Sequence, residues 1–168
     1  MDFKVNWDDK VWGITVFVTA LLIAAVAAGF IFFHGIVSWI IAGVAVATLL
    51  ASALMSPAKL RITSTGIVLF KIFGKKVFLY RDMESISLCD IQTSPNIRII
   101  GCGGVMGYTG LFYNKSIGRF TAYVGSMFRT VLIRMNNGKQ YVVSCLNPDK
   151  LVEICRANLR ATKNGLQK

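Results

Sequence analysis

The spacing of polar and apolar residues along this chain changes character once, near residue 58. From Val11 to Ala58 there is no Asp, Glu, Lys or Arg in 48 residues. One straight helix of that length would run about 72 Å at about 1.5 Å per residue. A bilayer's hydrocarbon core is only about 30 Å thick and is crossed by about 20 residues. The run is therefore expected to cross, turn and cross back. His34-Gly35 lies near its middle, where glycine frees the backbone. The pattern predicts one span over Val11–Phe33 and a second over Ile36–Met55, ended by Ser56-Pro57, because proline disfavours helical geometry before it and cannot continue the ladder. A soluble helical hairpin needs a polar face, and none of these positions is charged. A secretory leader needs a positive start, whereas residues 1–10 hold three Asp and two Lys.

Beyond Pro57 the period falls to two. Lys59–Thr63 alternates, Ser64-Thr65-Gly66 turns, and Ile67–Phe73, Lys76–Tyr80 and Glu84–Cys89 read as further strands. Asn96–Ile100 is an extra strand or a continuation of the fourth. Phe120–Gly125, Thr130–Met135 and Gln140–Cys145 follow, the last two joined by Asn136-Asn137-Gly138, a strong hairpin signal. A helix closes the chain. Asn147 suits its N-cap, Pro148 its first position, and Asp149 the positive end of its dipole. Leu151, Ile154, Cys155 and Leu159 share its apolar face, and Gly165 can end it.

Charge sets the orientation. The chain is 54% hydrophobic and 16% charged with net charge +11; residues 1–10 carry −1 and residues 59–168 carry +12. A single soluble domain is excluded by that distribution. Lys4 and Lys10 flank the first span, Lys59, Arg61 and Lys71 follow the second, and the turn between has no Lys or Arg. Positive-inside bias then puts both termini in the cytoplasm. The expected organisation is a cytoplasmic segment 1–10, a two-span hairpin 11–57 and a cytoplasmic domain 58–168. Ala20, Ala24 and Ala28 on the first span and Gly43, Ala47 and Ala51 on the second form small-residue stripes, which let helices approach closely in lipid. Packing the two spans on each other is favoured over a contact between chains. Trp12 and Trp39 fall near the expected interfaces.

The order of four strands, a long excursion, three strands and a helix resembles a pleckstrin-homology-like (PH-like) domain. The block Gly101-Cys-Gly-Gly-Val-Met-Gly-Tyr-Thr-Gly-Leu-Phe-Tyr-Asn-Lys-Ser-Ile-Gly-Arg-Phe120 is similar to a glycine-rich signature of a family of bacterial PH domains. Tyr123, Val131–Ile133, Tyr141-Val-Val-Ser144 and Asn147-Pro148 also fit that family's pattern. The resemblance covers about residues 55–160. It implies an α+β membrane protein: a two-helix transmembrane hairpin, then a PH-like antiparallel β roll of about seven strands capped by a C-terminal helix, in the cytoplasmic membrane of a bacterium.

Candidate chemistry is sparse. Gly101, Gly103 and Gly107 miss the G-x-G-x-x-G spacing because position 106 is Met, no Lys-Ser/Thr closes a phosphate loop, and Ile91–Pro148 contains no acid to hold a ribose. His34, the only histidine, is expected in the outer turn, so no cytoplasmic Ser/His or Cys/His pair forms. Cys89, Cys102, Cys145 and Cys155 have no C-x-x-C spacing and no histidine partner for zinc, and are expected as free thiols. Asp82, Glu84 and Asp90 cluster, but a solvated strand edge is the commoner use of such acids. No catalytic residue, cofactor or metal is expected, and no nucleic-acid motif accompanies the basic charge. Tyr108, Phe112, Tyr113, Lys115 and Arg119 interleave rings with cations. Such a loop either contacts anionic lipid or a partner, or packs its rings beneath itself, the commoner use of aromatics. The expected function is a membrane-anchored binding or scaffold module for a protein or peptide and anionic lipid. The alternative is an accessory subunit of a transporter or membrane enzyme, acting through its spans. Homo-oligomerisation is left open.

Overall fold

A computed structural model describes residues 1–5, 7–32, 35–91 and 95–166. Two apolar helices lie in the first third of the chain, α1 (Asp9–Phe32) and α2 (Ile36–Met55). Both are long and apolar enough to cross a membrane. His34 and Phe33, the expected turn and span end, lie outside the described residues. Gly35 enters α2 with φ 93°, a conformation a side chain would strain. At the other end Ser56 is extended (φ −62°, ψ 134°), as the following Pro57 requires.

Most hydroxyls within the helices bond back to their own helix. Thr15, Thr19, Thr48 and Ser52 each donate to the carbonyl four residues earlier, at 2.7–2.9 Å. Ser38 alone reaches across the hairpin, donating to the Gly29 carbonyl at 2.9 Å. That bond marks the seam. Gly29 admits Ile41, whose Cδ1 lies where a glycine Cβ would have only 3.3 Å. Ser38, Ala45 and Ser52 are buried at seven-residue spacing, the period of a helix pair in steady contact.

The alanine and glycine stripes are therefore not the packing face. Ala20, Ala24, Ala28, Gly43, Ala47 and Ala51 are all exposed on the outside of the hairpin. Four-residue spacing of small side chains identified a smooth face, but the seam combines small residues with Leu22, Val26 and Leu49.

Ten strands are present among the described residues, one ahead of α1 and nine after α2, in two sheets. The first has the order β1-β2-β3-β4: Asp2–Lys4, Pro57–Ile62, Gly66–Lys71 and Lys75–Leu79, all antiparallel. The second has the order β5-β9-β10-β8-β7-β6: β5 is Met83–Cys89, β6 Asn96–Gly104, β7 Gly107–Asn114, β8 Gly118–Val124, β9 Thr130–Met135 and β10 Gln140–Val143. Its pairs are antiparallel except β8 with β10, which run parallel. Helix α3 (Pro148–Leu166) packs on β5 and continues through Gly165. Gly165 does not end it, because a glycine in the last turns costs only about 1 kcal/mol against alanine.

Two of the strands are absent from the sequence pattern. Strand β1 has three residues, too few to show a period, yet Asp2, Phe3 and Lys4 pair with Arg61, Leu60 and Lys59. Strand β7 lies inside the glycine block, where alternation is broken by glycines. The block is consequently not a loop but a β6–β7–β8 meander.

The larger core joins Leu60, Ile67, Leu69 and Phe78 of the first sheet to Ile86, Ile133, Tyr141 and Val143 of the second, closed by Leu151, Val152, Cys155 and Leu159 of α3. The opposite face of the second sheet gathers Phe112, Phe120, Ala122, Val124, Leu132 and Val142.

Candidate binding surface

A sheet edge exposes backbone donors and acceptors that invite another strand unless something blunts it. Among the described residues there are four such edges, and three are blunted. Strand β1 is only three residues long. Strand β4 carries Lys75 and Lys76. On β5 two carbonyls are already occupied: Arg156 donates to Ile86 O at 3.0 Å and Lys163 to Glu84 O at 3.0 Å, both from α3. Strand β6 is different. It has nine residues, pairs only with β7, and turns Ile97 (59% exposed), Ile99 and Ile100 (71%) outward. Its register shifts between Arg98 and Ile100, a bulge that brings consecutive isoleucines to the surface.

The glycine block fixes where this edge lies. Gly101 and Gly110 are register partners with φ 130° and 138°. At its turn end, Gly104 meets Ile14 of α1, Met106 N–H donates to Thr15 Oγ1 at 2.9 Å, and Cys102 Sγ lies 3.4 Å from Ser52 Oγ. The meander is thus attached to both helices at one end.

The five residues expected from sequence to meet lipid or a partner do not form one patch. Phe112 is buried (3% exposed), its ring stacked on Phe120 with centroids 5.9 Å apart, and is removed from any contact surface. Tyr108 is half-buried near the helix end of β7. Tyr113, Lys115 and Arg119 are exposed at the other end, with Tyr113 about 17 Å away by strand rise. The register aligns Ile97, Tyr113 and Arg119 across β6, β7 and β8, giving an apolar–aromatic–cationic row beside the open edge. Sequence reasoning missed Ile97, Ile99 and Ile100, whose signal was a run of isoleucines at a strand with no expected neighbour.

A family description, the bacterial PH domain, matches residues 58–158. The chain belongs to the bacterial PH-domain family. No curated protein and no solved structure matches it. In this PH domain the matched segment begins one residue after the proline that ends α2 and stops within α3.

The remaining candidates stay apart. Asp82 pairs with its neighbour Arg81 at 3.7 Å, and Glu84 is exposed on β5. Among the described residues no three His, Cys, Asp or Glu side chains gather as metal ligands. All four cysteines are free. Burial pushes the thiols of Cys145 and Cys155 up to about 11, and Tyr80, which donates to Cys155 Sγ at 3.7 Å, is raised by burial as well. Such groups stay neutral, as core members do.

Proposed function

We propose that this chain is a membrane-anchored PH-domain binding module that takes an extended segment of a protein partner along β6. The observation that carries this reading is the open β6 edge with its outward isoleucines. An added strand would satisfy the edge backbone while its side chains meet Ile97, Ile99 and Ile100. Charge narrows the partner. From Ile91 to Pro148 there is no acidic residue, and Arg98, Lys115 and Arg119 lie on or near the edge. An apolar segment with acidic residues is complementary. No catalytic role is part of the proposal.

Support for the anchor comes from α1 and α2, apolar and largely exposed along their length. A soluble protein would leave that surface in water. Pairing of β1 with β2 brings the residues before α1 and after α2 to one sheet, which suits two crossings with both ends on the same side. The basic flanks favour the cytoplasmic side of a bacterial inner membrane.

The test is a photo-crosslinking residue at Ile97 in the full chain in native membranes, with and without Ile100→Asp. An adduct with another protein that disappears with Ile100→Asp, while β6 amides gain exchange protection, is expected. An adduct at twice the chain's mass would replace the partner by a second copy. Unchanged capture with Ile100→Asp would overturn the edge reading.

A second reading, an accessory subunit acting through its helices, draws on the outward-facing Ala20, Ala24, Ala28, Gly43, Ala47 and Ala51. Loss of capture with Ala24→Leu but not with Ile100→Asp would favour it.

A further inference from the structure

The turn between β3 and β4 is fastened to the last turn of α2. Phe73 N–H donates to Leu54 O at 3.0 Å and Ile72 N–H to Ser56 O at 3.1 Å. Helix ends leave carbonyls without intrahelical donors, and this turn supplies two. The donor that Leu54 O would meet in a continuing helix lies about one turn further along, about 5.4 Å. Phe73 N–H therefore lies about one turn past Leu54, just beyond the end of α2. A bilayer's interfacial zone is about 5–7 Å deep on each side, the difference between about 40–45 Å overall and about 30 Å of hydrocarbon. The turn falls within that zone when α2 spans the bilayer.

Its side chains suit that depth. Ile72 is 58% exposed and Phe73 is 73% exposed. Gly74, at φ 84°, and the bond from Lys71 N–H to Gly74 O at 3.0 Å fix the turn as a short rigid tip. Lys71 and Lys75 flank it, and lysine stems reach from apolar surroundings to phosphates. Two apolar side chains at a rigid tip, backed by cations and held beside a helix end, match an interfacial anchor.

We infer that Ile72 and Phe73 are seated at the acyl–headgroup boundary beside α2, with Lys71 and Lys75 at the phosphates, as a third membrane contact that fixes the domain's orientation. This rests on the reading that α1 and α2 span the membrane. The occupant of the tip is lipid, because its backbone is tied to the helix end that delivers it to the bilayer surface.

The test uses the full chain with Cys89→Ser and Cys102→Ser, reconstituted in vesicles of phosphatidylcholine and phosphatidylglycerol. An environment-sensitive fluorophore is attached at Phe73→Cys, at Phe17→Cys within α1, or at Ser64→Cys on the β2–β3 turn. Lipid-borne nitroxide should quench the Phe73 label severalfold more than aqueous iodide does, and the Ser64 label should show the reverse. If the Phe17 label is lipid-quenched while the Phe73 label is open to iodide, the inference falls and the membrane reading stands. A Phe73 label shielded from both quenchers points to a covering protein and also overturns it. A Phe17 label open to iodide removes the membrane reading and this inference together.

Discussion

Gly101 and Gly110 face each other across β6 and β7, each occupying the space the other's side chain would need. A Cβ on Gly101 would lie 2.2 Å from Thr109 O and 2.6 Å from Gly110 Cα; one on Gly110 would lie 2.2 Å from Ile100 O and 2.7 Å from Gly101 Cα. Both clashes are with backbone, which cannot swing aside. The pair lets two strands lie closer than ordinary residues allow, and it immediately adjoins Ile100, the most exposed isoleucine of the open edge.

Gly101→Ala and Gly110→Ala should each destabilise the full chain by about 3 kcal/mol or more, since strain at positive φ adds to the clash. Gly13→Ala, with nothing within 4 Å, is the control and should be neutral or mildly stabilising. Melting temperatures in detergent micelles measure the difference.

The Asp2 carboxylate accepts from Arg61 Nε at 2.6 Å and from Arg61 Nη2 at 2.9 Å, with Lys59 Nζ 3.7 Å away. The Arg61 hydrogen bond is the main cause that lowers Asp2 from the usual 3.8 to about 2. A depressed carboxyl pKa stabilises the fold above the unfolded value, and that contribution fades as pH falls from about 4 towards about 2. Carboxyl titration by NMR should place the Asp2 midpoint near the lower value. Arg61→Ala should return it most of the way towards about 4, and Lys59→Ala much less.

Buried Ser144 accepts from Gly125 N–H at 2.8 Å and Ser126 N–H at 3.4 Å, holding the turn after β8. Asp8 N–H donates to the carbonyl of the same Gly125 at 3.2 Å, so this turn also steadies the start of α1. Ser144→Ala would strand those donors and should cost about 1–3 kcal/mol. Ser64→Ala, at an exposed turn, should change the melting temperature little.

Cys145 and Cys155, held at about 11 by burial, are roughly one part in a thousand thiolate at pH 8. A thiol-disulfide reagent at that pH should react first with the partly exposed Cys89 and Cys102, and with the buried pair only on unfolding. A thiol raised from 9.0 in the fold keeps its stabilising contribution below about 9 and loses it as pH rises through about 11. Alkaline unfolding should therefore begin in that window and be shifted upwards by Cys155→Ala if the cavity cost is discounted against neutral pH.

Much of the architecture was legible because it is written in local patterns. Charge-free length gave α1 and α2, with Ile36–Met55 matched at both ends. Thr130–Met135 was also matched at both ends, and Asn137-Gly138 marked its turn, where Gly138 takes φ 75°. The candidate surface was legible only in part. Tyr113 and Arg119 are exposed, but their alignment with Ile97 depends on the register of three strands. Phe112 has the same sequence credentials as Tyr113 and points into the core, because neighbouring strand residues alternate faces.

The sequence alone determined the apolar hairpin, the short strands after it and the closing helix, since each depends on hydrophobic period and on Gly, Pro and Asn at their turns. Only the tertiary structure decided which helix faces meet, that Asp2–Lys4 extends the first sheet, that β10 lies parallel to β8, and that β6 is the edge left open. Those features arise from contacts between residues far apart in the chain, where pairing and packing choose among faces and neighbours that local pattern leaves equivalent.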